Sequence, residues 1–121
     1  MKRYNEKLDK YYTIPYKPNG YDFDGCDCFG LLWLWYKNEL GIDLPKYDEN
    51  IGKMQSVFSE KILLTADIND VVLLECAGDH VGIVIGNGLF IHSLNGVGVA
   101  VSKINSWRKK IKGIFHYVPN S

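Results

Sequence analysis

The chain has no excess charge of either sign, no hydrophobic run of membrane-spanning length, and few cysteines. Fourteen Lys and Arg residues offset fourteen Asp and Glu in 121 residues, so no net field gathers nucleic acid or anionic lipid. Neither a nucleic-acid partner nor a membrane partner is expected. The one basic cluster, Trp107 to Lys112, reads as a solvated face. No stretch approaches the roughly 20 apolar residues of a membrane helix. Met1 to Lys7 has no apolar run behind it, so the expectation is synthesis in the cytoplasm without a signal peptide. Three cysteines, an odd count, then point to reduced thiols rather than a disulfide framework. Internal repeats and linkers are missing as well.

What is present suits one domain over residues 1–121, with 46% apolar and 13% aromatic residues to build a single core. The front half reads as helical. A short charged helix is expected over 1–12, with Tyr11 to Gly20 a loop because two prolines and Asn19-Gly20 break regular structure. Asp27 to Leu40 reads as one helix, with Asp27 the N-cap and Gly41 the stop. Its first half, Phe29 to Tyr36, has almost no polar face, which marks a helix buried in the core. A weaker helix is expected over 49–60. The period then changes. Asp70–Cys76, His80–Ile85, Leu89–Leu94, Val97–Ile104 and Ile114–Val118 read as strands, with Asn87-Gly88 and Asn95-Gly96 as hairpin signals. Helices followed by an antiparallel sheet give an α+β fold.

Two segments carry chemistry. Asp27-Cys28-Phe29-Gly30-Leu31 places a thiol where a helix begins, and orphan amides and the macrodipole are expected to depress its pKa. Asp79 to Gly86 opens a strand with His80, and His92 follows on the next. A thiol needs a base, imidazole titrates near neutrality, and a second polar group can orient that base. Cys28, His80 and His92 are therefore the candidate catalytic residues. Most free cysteines are small buried hydrophobes, which is the reading for Cys26 and Cys76; His116 is taken as structural. Zinc on Cys26, Cys28, His80 and His92 is disfavoured because Cys-x-Cys is not the Cys-x-x-Cys spacing of a zinc knuckle. No metal or organic cofactor is expected.

Parity constrains the hairpin between the histidines. Paired residues share a face and faces alternate. A two-residue Asn87-Gly88 turn pairs Gly86 with Leu89 and sets His80 and His92 on opposite faces. A three-residue loop, Gly86-Asn87-Gly88, pairs Gly82 with His92 and restores a shared face. The expectation is the three-residue loop, positive φ at Gly88, and both imidazoles on the face that meets Cys28.

Pro15 to Gly20, Asp27 to Leu31 and His80 to Ser93 together resemble the NlpC-type cell-wall peptidases, papain-like cysteine hydrolases of bacterial peptidoglycan. The resemblance runs from about Tyr11 to Tyr117. It implies that Cys28 is the nucleophile, His80 its base and His92 the group that orients the base, with the Cys28 N–H as oxyanion donor. Tyr16 and Asp27 take the places of the family's substrate-binding tyrosine and acidic residue. The implied reaction is cleavage of the peptidoglycan stem peptide after D-glutamate and before the diamino acid. Phe29 stands where many members have serine, and Pro18-Asn19-Gly20 replaces the usual tryptophan-glycine-glycine. Phe29, the phrase Glu39 to Pro45 and the ending Trp107 to Tyr117 look most like the branch carried in phage tails, which implies other tail proteins as partners and a site of action at the bacterial wall. Two other classes stay open, a catalytically idle tail component and a Cys-His acyltransferase on the same fold.

Overall fold

Asp27 starts the principal helix and Gly41 stops it. In the computed structural model, which describes residues 8–45, 57–61 and 65–118, a helical turn at 8–12 (α1) leads to a hairpin, β1 (Tyr21–Asp22) with β2 (Gly25–Cys26), and then to α2 (Cys28–Leu40). Asp27 is extended, and its Oδ1 accepts from the Gly30 N–H at 2.9 Å, taking one amide that the first turn leaves unpaired. Gly41, left-handed at φ 68°, returns its N–H to the Lys37 carbonyl at 3.2 Å, a conformation glycine adopts without a Cβ penalty. Between these ends Leu31, Leu32, Leu34, Trp35 and Tyr36 are buried. The two buried aromatics still place their polar tips: Trp35 Nε1 donates to Asn69 Oδ1 at 2.9 Å and the Tyr36 hydroxyl to the Asn69 carbonyl, as buried donors require.

The second half folds into one antiparallel sheet of β3 (Phe58–Glu60), β4 (Val71–Glu75), β5 (Asp79–Gly86), β6 (Leu89–Leu94), β7 (Gly98–Lys103) and β8 (Ile111–Tyr117), in the order β3-β8-β4-β5-β6-β7. Its faces are covered differently. Val71, Val81, Ile83, Ile85, Ile91 and Val99 pack with α2, whereas Val72, Leu74, Val84 and Phe90 form a second cluster with Ile104, Trp107 and Ile111. The α+β class holds.

Several expected boundaries move. Residues 8–12 are helical and 1–7 lie outside the described residues. Of the helix expected over 49–60, residues 49–56 lie outside the described residues, and Phe58–Glu60 is a strand paired with β8. The segment expected as plain loop carries a parallel bridge from Tyr16 to Cys26 and runs into the β1–β2 hairpin. The strand expected to end at Ile104 ends at Lys103, where a 3-10 helix over Ile104–Lys110 begins, and β8 starts at Ile111.

The β5–β6 connection corrects the expected three-residue loop. Gly86 pairs with Leu89, so the turn is the two residues Asn87 and Gly88, both with positive φ (56° and 73°), the signature of a primed hairpin turn. The next pair is Val84 with Phe90, then Ile83 with Ile91. Ile85 is therefore the extra residue of a β-bulge, and the bulge performs the parity shift that the longer loop was expected to supply. His80 and His92 do share a face. That face, covered by Phe90 and Trp107, is opposite the bulk of α2; Cys28 stands at the N-terminal end of that helix.

Candidate active site

The start of α2 is tied to the preceding loop through backbone bonds and to the sheet through the Ser93 hydroxyl. Cys26 N–H donates to the Pro15 carbonyl at 3.0 Å and Lys17 N–H to the Cys26 carbonyl at 3.1 Å. Ser93 Oγ, buried on β6 beside His92, also donates to the Cys26 carbonyl at 3.0 Å. Asp27 completes the clamp: with Oδ1 on Gly30, its Oδ2 accepts from the Asn19 N–H at 2.9 Å. A Cβ on Gly30 would lie 1.8 Å from the Gly20 carbonyl oxygen, so only glycine lets this loop rest on the first helical turn.

Cys28 thereby reaches the open end of the β5–β6 ladder. The Val84 N–H points to β4, donating to the Asp70 carbonyl at 2.8 Å, and amides alternate in direction along a strand. The Val81 N–H therefore points toward β6, whose register with β5 ends at Ile83–Ile91. That amide, which belongs to the residue after His80, pulls the Cys28 thiol pKa down. Burial pushes the thiol up to about 11, against the pull of the Val81, Phe29 and Cys28 amides and with a further push from Asp27. The expected depression by the helix terminus is thus outweighed by desolvation. Cys26, fully buried and beside Ser93, is likewise pushed up by burial to about 11. Cys76 lies just past β4, half-buried.

His80 and His92 meet directly. His80 Nε2 lies 2.8 Å from His92 Nδ1, and His92 Nε2 lies 2.8 Å from Ser102 Oγ. His80 Nδ1 is then the ring nitrogen outside the contact with His92. Trp107 stacks on the His80 ring at 6.3 Å and 21°, and stands edge-on to His92 at 5.3 Å; the Phe90 ring lies 4.5 Å from His92. Burial lowers the His80 pKa, and burial followed by the neighbouring His80 lowers His92 to about 4. Both rings are neutral near pH 7.

Tyr16 is held by its bridge to Cys26. Burial raises its phenol pKa first, with Asp27 and then Cys28 adding to the shift, which places the hydroxyl in the field of both. A groove of about 420 Å³ opens beside it, lined by Pro15, Tyr16 and Asn95 to Gly98. His116 lies on β8, paired with Ser59 and exposed. Among the described residues no group of His, Cys, Asp and Glu has the arrangement of a metal site.

Ser102, Trp107 and the Val81 amide were missed by the sequence reading. Ser102 was within reach of it: His92 pairs with Ala100, and Ser102 is two residues on, on the same face. Finding it required the three-residue turn Asn95–Val97, which the Asn-Gly signal alone suggests as two. Trp107 was absorbed into the basic cluster.

Residues 13–116 match the NlpC/P60 family. The chain is 32% identical over 101 residues to the murein DD-endopeptidase MepS/murein LD-carboxypeptidase of Escherichia coli strain K12, across 80% of this chain and 52% of that protein. It is 28% identical over 101 residues to the probable peptidoglycan endopeptidase LytE of Bacillus subtilis strain 168, across 82% of this chain and 29% of that one. The chain thus spans about half or less of the length of these two relatives. In fold it is similar to the NlpC/p60 domain of the peptidoglycan hydrolase SagA, at TM-score 0.73 and 23% identity over 93% of this chain and 95% of that one. It is similar also to an NlpC/P60 protein of Bacillus cereus, at TM-score 0.74 and 22% identity over 96% of this chain and 39% of that one. With a match that covers most of its length, the chain belongs to the NlpC/P60 family.

Proposed function

We propose that this protein is a cysteine peptidase that hydrolyses the stem peptide of peptidoglycan. The observation that carries the reading is the contact of His80 Nε2 with His92 Nδ1 at 2.8 Å, with the helix-terminal Cys28 packed in the same core as Val81, the residue after His80. The names of the relatives, murein and peptidoglycan endopeptidases, supply the substrate class.

In this reading His80 Nδ1 takes the Cys28 proton as Sγ attacks the peptide carbonyl carbon. The N–H of Cys28, at the helix start, meets the developing oxyanion. The C–N bond breaks as the His80 imidazolium gives its proton to the leaving amine. Water, deprotonated by His80, then hydrolyses the thioester and the thiol regains its proton. His92 accepts the Nε2–H of His80 and keeps the ring oriented. Tyr16 and Asp27 border the substrate, with the groove beside Tyr16 as its channel. Each proton is handled by the chain's own groups, so the reaction needs no metal or organic cofactor.

The finer reading is cleavage between D-glutamate and the diamino acid, in a phage-tail setting supported by Phe29 and the segment Trp107 to Tyr117. Incubation with purified peptidoglycan and mass spectrometry of the released peptides tests both activity and bond. New termini at that bond are expected, whereas termini at D,D-crosslinks would replace the bond assignment with the activity named for the Escherichia coli relative. Cys28→Ala is expected to lose several orders of magnitude in rate, with Cys26→Ala and Cys76→Ala retaining most of it. Equal release by Cys28→Ala and wild type would end the proposal, whereas no release by the wild type would favour an idle assembly component. Acyl transfer without hydrolysis would favour the acyltransferase class.

A further inference from the structure

We propose that Ser102 is a positioning residue that fixes the tautomer of His92 and, through it, the ring nitrogen that His80 presents to Cys28. The inference rests on the reading of His80 as the base of Cys28.

The argument is one of counting protons. One proton occupies the 2.8 Å contact between His80 Nε2 and His92 Nδ1, and another the 2.8 Å contact between His92 Nε2 and Ser102 Oγ. Each neutral imidazole has one N–H and one lone pair, so only two arrangements are self-consistent. In the first, His80 donates from Nε2 to His92 Nδ1, His92 donates from Nε2 to Ser102 Oγ, and His80 Nδ1 keeps its lone pair. In the second, the serine hydroxyl donates to His92 Nε2, His92 donates from Nδ1 to His80 Nε2, and His80 carries its proton on Nδ1. Only the first leaves a lone pair on His80 Nδ1, the nitrogen that the proposed mechanism needs as base.

The surroundings select the first. Ser102 lies on β7, the edge of the sheet, and is half-buried, so its hydroxyl hydrogen can turn to solvent while its oxygen accepts. His92 has no comparable freedom. It is 0% exposed, enclosed by Phe90 and Trp107, and its lowered pKa keeps it neutral. Protonated on Nε2, it finds its acceptor in the serine oxygen, and a buried donor without an acceptor is costly. Replacing Ser102 by alanine removes that acceptor and favours the His92 tautomer protonated on Nδ1, which turns the relay round.

Long-range ¹H–¹⁵N correlation of the histidine rings at neutral pH reads this directly, without substrate. The wild type is expected to show His92 protonated on Nε2, Ser102→Ala to shift it to Nδ1, and Ser102→Thr, which keeps the hydroxyl on Cβ, to restore Nε2. General-base catalysis contributes about 10²–10⁴-fold, so Ser102→Ala is expected to lower kcat by about tenfold or more with KM unchanged, and Ser102→Thr to recover it. His92 remaining protonated on Nε2 in Ser102→Ala overturns the proposal, whatever the turnover. A tautomer switch together with undiminished peptide release by Cys28→Ala fails the nucleophile reading instead and leaves the relay standing.

Discussion

His80 and His92 share a face of the sheet because Ile85 is bulged out of β5 between them. With Gly86 paired to Leu89 and Val84 to Phe90, the two-residue turn alone would direct the imidazoles to opposite faces. The bulge adds the one residue that turns His80 back toward His92 and allows the 2.8 Å contact. Register and chemistry are thus coupled, and changes that disturb packing behind the pair are expected to reach the rings.

Gly82 is the most direct case. A Cβ there would lie 2.4 Å from Phe90 Cδ2 and 3.2 Å from the Ile91 carbonyl oxygen, and the Phe90 ring packs on His92 at 4.5 Å. Overpacking of this kind costs about 1–3 kcal/mol. Gly82→Ala is expected to unfold at lower temperature and to lower kcat by displacing His92 through Phe90. Calorimetry and turnover of the same preparation check this, and wild-type values of both would show that Phe90 does not carry strain to the ring. The crowding falls on Phe90, two residues before His92, rather than on the imidazole pair itself.

Asp27 is tied by both carboxylate oxygens to backbone amides, Gly30 within the helix and Asn19 before it. Asp27→Ala is expected to cost about 0.5–2 kcal/mol from the lost cap and to slow turnover by loosening the loop that carries Tyr16. Asp27→Asn keeps a capping oxygen and is expected to recover most of the stability. Denaturant melts of the pair separate the cap from the charge; equal losses in both variants would assign the effect to charge instead.

The helix was legible because its signals are local: Asp27, the apolar run and Gly41 each act within a turn of themselves. The α+β order was legible from the change of period. The site was legible in its residue types and less so in its geometry. Asn87-Gly88 announced the turn, but a bulge at Ile85 has no local marker, since an isoleucine in an apolar strand reads the same within the regular register or at a shift of it. The β1–β2 hairpin is held by backbone bonds from Pro15 and Lys17 to Cys26, which leave no periodicity to read. The thiol's ionisation depended on burial, and a helix N-terminus in sequence does not say how deeply it is covered.

That burial sets an expectation for the pH dependence. With the Cys28 thiol pushed up to about 11 and His80 lowered by burial, the resting pair is a neutral thiol and a neutral imidazole. Thiolate absorbance near 240 nm in a Cys26→Ser, Cys76→Ser background is expected to be absent at pH 7 and to rise only on the alkaline side. The acid limb of kcat/KM is expected to have its midpoint below the ordinary histidine value of about 6.5, with activity sustained into mildly alkaline solution. Thiolate absorbance already present at pH 6 would show a resting ion pair and overturn this.

Acid stability follows from the same lowered histidines. In the unfolded chain His92 takes up a proton near pH 6.5, whereas in the fold burial and His80 hold it to about 4. Between those values the unfolded state binds the extra proton, so stability falls as the solution is acidified through this window and is fully present above it. The loss is expected to be on the order of 2–3 kcal/mol at pH 4, with a further contribution of the same sign from His80, whose pKa is also lowered. Urea unfolding of wild type and His92→Gln from pH 7.5 to 4 measures it. The variant is expected to be less stable at pH 7.5, because the contacts to His80 and Ser102 are lost, but to lose less on acidification. Parallel losses in the two proteins would show that other groups govern acid unfolding and that His92 does not titrate as its burial requires.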